Sequence, residues 1–173
     1  LDIAGVSGYF GDGSDGVLTI SSDTTEAPID SACTGTTGTT TLTATTASFV
    51  ANHIIFIHPP HGTSAGSWQR NTIASYTAGT ITLGTALNTT YGTGAQVRIM
   101  KQYSTVTINS GKTYTAKAWT GTVGGILAFL AGTSATITGT ISANGNSSLN
   151  ITTPNNGGGF RGGAGEAVGG NPG

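Results

Sequence analysis

Of 173 residues only 8% are charged, the formal net charge is −1, and glycine (29) and threonine (33) are abundant. An average chain is about 25% charged, and disordered chains combine high net charge with low hydrophobicity, whereas this one is 36% hydrophobic. Disorder and a helical bundle are thereby excluded, since Lys and Glu are scarce while Thr, Val and Ile suit a pleated surface, and six dispersed bases leave no nucleic-acid footprint.

Residues 1–16 form a polar, Gly-rich opening that ends in Gly11-Asp12-Gly13-Ser14-Asp15-Gly16. Nothing at Leu1 reads as a signal peptide, and no apolar run approaches the ~18 residues of a membrane span. The chain is expected to be part of something longer. A short alternating strand follows at Val17–Ser21, and then turn signals with little periodicity over residues 22–38. From Thr39 short strands recur at even spacing: Thr40–Thr45, His53–His58, Asn71–Tyr76, Thr80–Leu83 and Ala95–Met100. Turns separate them at Pro59–Gly62, Ala78-Gly79 and Tyr91–Gly94. Five short strands over this stretch fit a small antiparallel barrel, which closes its own edges. The apolar run Ile54–Ile57 is expected to be its central strand, with Phe56 in the core.

Beyond Tyr103 very short strands are broken by Gly or Asn-Gly: Val106–Ile108, Tyr114–Ala116, Gly125–Phe129, Ala135–Thr138 and Thr140–Ser142. Brief strands and tight corners have the texture of a β-solenoid. A Gly-rich tail closes the chain, either as a linker or as polyproline-II strands packed together. The expected fold is all-β, a small antiparallel barrel followed by the start of a parallel β-helix or solenoid with a Gly-rich tail. Four regions result: an N-terminal Gly/Thr-rich segment with a short strand (1–38), the barrel (39–102), solenoid-like coils (103–150) and the low-complexity tail (151–173).

Candidate chemistry is sparse. The Gly11–Val17 stretch partly matches a calcium-binding nonapeptide, but that motif needs stacked copies, so Asp side chains bonded to backbone amides are the expected role. His53, His58 and His61 have no nearby carboxylate to orient them, since no Asp or Glu lies between Asp30 and Glu166. Paired carboxylates, a nucleophile elbow and a P-loop are all lacking, so no catalytic residue, metal or cofactor is expected. Cys33 stands alone and reads as a buried or loop thiol. The surface-contact candidates are Trp68, Trp119 and Phe160, whose flat apolar rings suit sugar rings or protein partners. Six of seven acids fall in the first 30 residues and all bases come later. This is either drift of composition between domains or a means of joining one copy to the next.

Gly11–Gly16 with its Thr-rich strand resembles the opening of many phage and prophage tail-fibre or tailspike-like proteins. The stretch from Phe49 through Thr63–Trp68, Thr80–Leu83 and Leu87–Tyr91 to Lys101–Tyr103 is similar to a small barrel ahead of a β-helix in such proteins. Trp119–Phe129, Gly139–Gly145 and Gly159–Gly163 resemble the first coils and a Gly-rich continuation. The resemblance implies a right-handed parallel β-helix, homotrimerisation and a place in the virion or in attachment to a host surface, possible partners being other virion or appendage proteins and host-surface glycans. The expected function is a non-enzymatic structural or adhesive part of a phage tail. The alternative is a subunit of a bacterial or archaeal extracellular filament or surface layer. Thr-x-Thr pairs suggest ice binding, but their uneven spacing along the chain argues against a regular array.

Overall fold

The computed structural model describes residues 10–45, 48–62 and 64–144, with the backbone of two further short strands. All regular structure in these residues is β, and two strand systems share it. The first consists of parallel strands in three successive rungs, each contributing a strand to both of two sheets. Rung one is β1 (Val17–Ile20) and β2 (Thr24–Thr25). The chain then leaves to make six barrel strands: β3 (Asp30–Gly35), β4 (Thr41–Ala44), β5 (Ile54–His58), β6 (Gln69–Thr77), β7 (Thr80–Leu83) and β8 (Tyr91–Ile99). It returns as rung two, β9 (Lys101–Ile108) and β10 (Thr113–Thr115), and rung three, β11 (Phe129–Ile137) and β12 (Thr140–Ser142). Further on, β13 (Asn156–Gly157) pairs antiparallel with β14 (Phe160–Arg161).

The rungs stack in register apart from one irregularity in β11, between Ala131 and Ser134. One sheet runs β1-β9-β11 and the other β2-β10-β12, all parallel. Parallel pairing requires a long crossover between partners, and between β1 and β9 that crossover is the whole barrel. Apolar positions therefore form columns across the rungs, Leu18 over Val106 over Ala135 and Ile20 over Ile108 over Ile137. The middle rung is the most shielded, with Val106 and Ile108 fully buried, while Ile137 in rung three is 47% exposed. Gly139 turns the corner from β11 to β12 against the carbonyl oxygens of Asn109 and Lys112, where a Cβ would collide with both.

The barrel closes in the order β3-β4-β7-β6-β5-β8, every pair antiparallel. Closure leaves no exposed edge. Alternate residues point inward: Cys33, Leu42, Ala44, Ile55, Ile57, Ile73, Ile81, Leu83, Ala95, Val97 and Ile99 fill the interior with Phe49, Leu87 and Tyr91. Burial pushes the Cys33 thiol up to about 12, so it is no thiolate at neutral pH. The Thr77–Thr80 hairpin turns through Ala78 (φ 48°) and Gly79 (φ 84°), the doubly positive pair that follows strand twist.

Several expectations change. The stretch 22–38 holds two strands, and β3 is the sixth barrel strand. It lacks periodicity because its interior is supplied by Cys33, while Ser31 is buried through hydrogen bonds with Thr45. Tyr91–Gly94 is the irregular start of β8 and not a turn. Residues Gly125–Ala128 form no strand. Phe56 is not the core centre: Ile55 and Ile57 point inward at 0% exposure, so strand alternation turns Phe56 outward, half-buried. The Gly-rich tail lies outside the described residues apart from the backbone of β13 and β14.

Candidate functional site

The acidic N-terminal segment and the later bases meet inside one chain. Asp15 accepts from the Lys101 ammonium at 2.6 Å and from the Gln102 backbone amide at 2.7 Å, fixing the loop before β1 to the start of β9. Glu26 pairs with Arg98 at 2.5 Å, and both side chains are almost wholly buried. Asp30 pairs with Lys117 at 2.7 Å. The separation of charge along the sequence is thus a pattern of partners brought together by folding, and neither composition drift nor a contact between copies is needed to explain it.

These pairs lie where the barrel meets the rungs. Val97 and Ile99 point into the barrel, so Gln96 and Arg98 of β8 point out of it. The segment 116–128, between β10 and β11, covers them. Gln96 exchanges two hydrogen bonds with Gly124, donating to its carbonyl at 3.2 Å and accepting from its amide at 2.9 Å. Arg98 donates to the Ile126 carbonyl. Gly124 has φ 104°, and a Cβ there would strike the Ala118 carbonyl, so the close approach needs glycine. Burial raises Glu26 above the usual carboxylate range, and the Arg98 charge opposes that rise. Buried charges are tolerated only when paired and hydrogen-bonded, which makes this junction a fixed seam.

The surface-contact candidates separate. Trp119 is 1% exposed, with its ring edge-on to His61 at 6.1 Å. It belongs to the seam, and its expected surface role is corrected: segment 116–128 folds inward onto the barrel and carries the indole with it. The side chain of Phe160 lies outside the described residues. Trp68 is 61% exposed and stacks on Phe56, with ring centroids 6.0 Å apart and planes 23° apart. Phe56 in turn lies 5.9 Å from the His58 ring. Sequence reasoning singled out Trp68 as a surface aromatic but placed Phe56 in the core, because the continuous apolar run Ile54–Ile57 carries no period that says which residues face out.

The remaining candidates are structural. Asp12 accepts from the Ser14 amide at 2.9 Å, and hydrogen bonding by Ser14 holds its carboxyl below the ordinary range. His53 bonds the Val50 carbonyl at 3.1 Å and His58 the Ser67 carbonyl at 2.8 Å. Among the described residues no cluster of three His, Cys, Asp or Glu side chains is placed to hold a metal. No helix among them is long and apolar enough to cross a membrane.

No protein-family model matches the sequence, and no curated protein matches it. The structure is similar to phage tailspike proteins. Against the tailspike gp49 of Pseudomonas phage LKA1 the TM-score is 0.36 at 12% identity, covering 58% of this chain and 24% of that one. Against tailspike gp61 of Pseudomonas phage phi297 it is 0.38 at 12% identity, over 68% and 20%. Against the gp54 tailspike of Acinetobacter baumannii bacteriophage AP22, solved with a capsular saccharide, it is 0.32 at 7% identity, over 79% and 32%. This chain spans a third or less of the length of those proteins.

Proposed function

We propose that the chain is a non-enzymatic structural and adhesive module of a phage tail, with the rungs as the start of a parallel β-helix and the barrel spliced between its first two coils. The observation that supports this reading best is the exposed end of the stack. Ile137 and Ile141 continue the core columns of Ile108 and Tyr114, yet they are 47% and 41% exposed. A stacked solenoid is built to lengthen by adding coils over such a surface, and a rigid rod is what a tail appendage requires. In domain terms the barrel extends from Asp30 to Ile99, with coils on both sides of it in sequence.

We propose further that the module is a homotrimer, because a nearly uncharged surface offers little repulsion between copies. Light scattering at micromolar concentration should give about three times the 17.1 kDa chain mass; a folded monomer contradicts the oligomer. The functional reading is tested by immunogold labelling. Antibodies against the chain should decorate the tails of phage particles induced from the source cells. Decoration of surface filaments on uninduced cells would favour the filament alternative and overturn the reading.

A further inference from the structure

We propose that residues 148–151 of this chain form a fourth parallel strand over the exposed end of the first sheet. The proposal rests on the coil reading above and names the part of the chain that lengthens the stack. The ladder aligns three tetrads, Val17-Leu18-Thr19-Ile20, Thr105-Val106-Thr107-Ile108 and Ser134-Ala135-Thr136-Ile137. Each has an apolar residue second, threonine third and isoleucine fourth. Beyond the described residues the sequence presents the pattern once more in Ser148-Leu149-Asn150-Ile151, with asparagine in place of threonine.

The exposed end fits that occupant. Ile137 is 47% exposed, although Ile108, its neighbour in the column, is fully buried. Ala135 is the smallest residue of its own column, which leaves room above it for the larger Leu149. Thr138 donates its amide to the Ile108 carbonyl at 3.0 Å. Along an extended strand the Ile137 amide then points to the opposite, open edge, where a further strand would supply the carbonyl it needs. The link is long enough. Tyr114 packs with Val106 and Ile108, so the two sheets face one another, and packed sheets lie about 10 Å apart. Five residues, 143–147, join Ser142 to Ser148, and extended they reach about 20 Å. No residue from 143 to 153 is charged, so no ion is carried onto the apolar columns. A second copy could lay its first rung on the same end, but that head-to-tail contact does not close and would grow into a fibre. The chain's own segment is tethered beside the end, and its effective concentration there exceeds that of a separate copy.

The test places cysteines at the third positions of adjacent tetrads, Thr136→Cys with Asn150→Cys, in the full chain. In-register neighbours lie about 4.8 Å apart, within the span of a disulfide, and the buried thiol of Cys33 does not compete. Mild oxidation should give an intrachain disulfide, identified by peptide mass spectrometry. It should form at least tenfold faster than in the displaced pair Thr136→Cys with Thr152→Cys. Ile151→Asp alone should speed hydrogen exchange at the Ile137 amide at least tenfold while the Ile108 amide keeps its rate. No disulfide, equal rates for the two pairs, or exchange indifferent to Ile151→Asp overturns the proposal. A disulfide between chains gives the end to a second copy and overturns it too. If antibodies label phage tails while no intrachain disulfide forms, the fourth strand alone fails; if the disulfide forms while labelling falls on filaments, the tail reading fails and the strand stands.

Discussion

Arg98→Met should lower the unfolding free energy at pH 7 by about 3–5 kcal/mol, the usual cost of removing one partner of a buried ion pair. The side chain of Arg98 is 1% exposed and that of Glu26 8%, so the carboxylate left behind cannot turn to water without opening the seam. The loss should depend on pH with a definite sign. Burial already raises Glu26 above its unfolded value, and removing Arg98 raises it further. A carboxyl raised by folding carries no penalty below its unfolded pKa and a growing one as pH climbs through the folded value. The variant should therefore lie nearest the parent at acid pH and furthest from it at neutral pH. Adding Glu26→Gln should recover most of the loss at pH 7, because the orphaned charge is then gone. Urea midpoints of the parent, both single variants and the double variant measure this directly. An equal loss at every pH would place the contribution of Arg98 in packing alone.

The strands that announced themselves in sequence were those with branched apolar residues at alternate positions. Thr80–Leu83 is legible because Ile81 and Leu83 alternate with threonine, and its observed bounds agree with the pattern. β3 is illegible for the opposite reason: its inward residues are Ser31 and Cys33, and the hydrogen bonds that bury Ser31 come from a strand read later in the chain. The Ile54–Ile57 run shows a different limit. Four successive apolar residues cannot reveal which pair faces inward, because period two is lost in a continuous run; only the closed barrel assigns Ile55 and Ile57 to the core. The seam was the least legible feature. Its pairs are separated by some 70 to 90 residues in sequence, and nothing local marks Arg98 as different from Arg70. The same long range hid the fate of Trp119, since its burial depends on Gly124 docking against Gln96. Trp68 and Trp119 read alike in sequence, each beside small or polar residues, and only the fold separates the exposed ring from the buried one.

Barrel and rungs, joined by the seam, are expected to unfold as one unit. Ile57→Ala probes it from the far side of the barrel wall. Ile57 is fully buried, and truncating such a residue costs about 2–5 kcal/mol through lost burial and the cavity left behind. Thr82→Ala, outward and exposed on β7, should change stability by less than about 0.5 kcal/mol. Phe56→Ala should fall between the two, because half of its surface already meets solvent. The barrel truncation should also destabilise rungs that Ile57 never touches. The decisive measurement is a urea titration of Ile57→Ala in a Trp68→Phe background, where Trp119 fluorescence reports the seam, with hydrogen exchange at the Val106 and Ile108 amides reporting the middle rung. One transition is expected, coincident for both probes and shifted by the same free energy from the parent. Rung amides that keep their parental protection while the barrel unfolds at lower urea would contradict it and leave two independent domains.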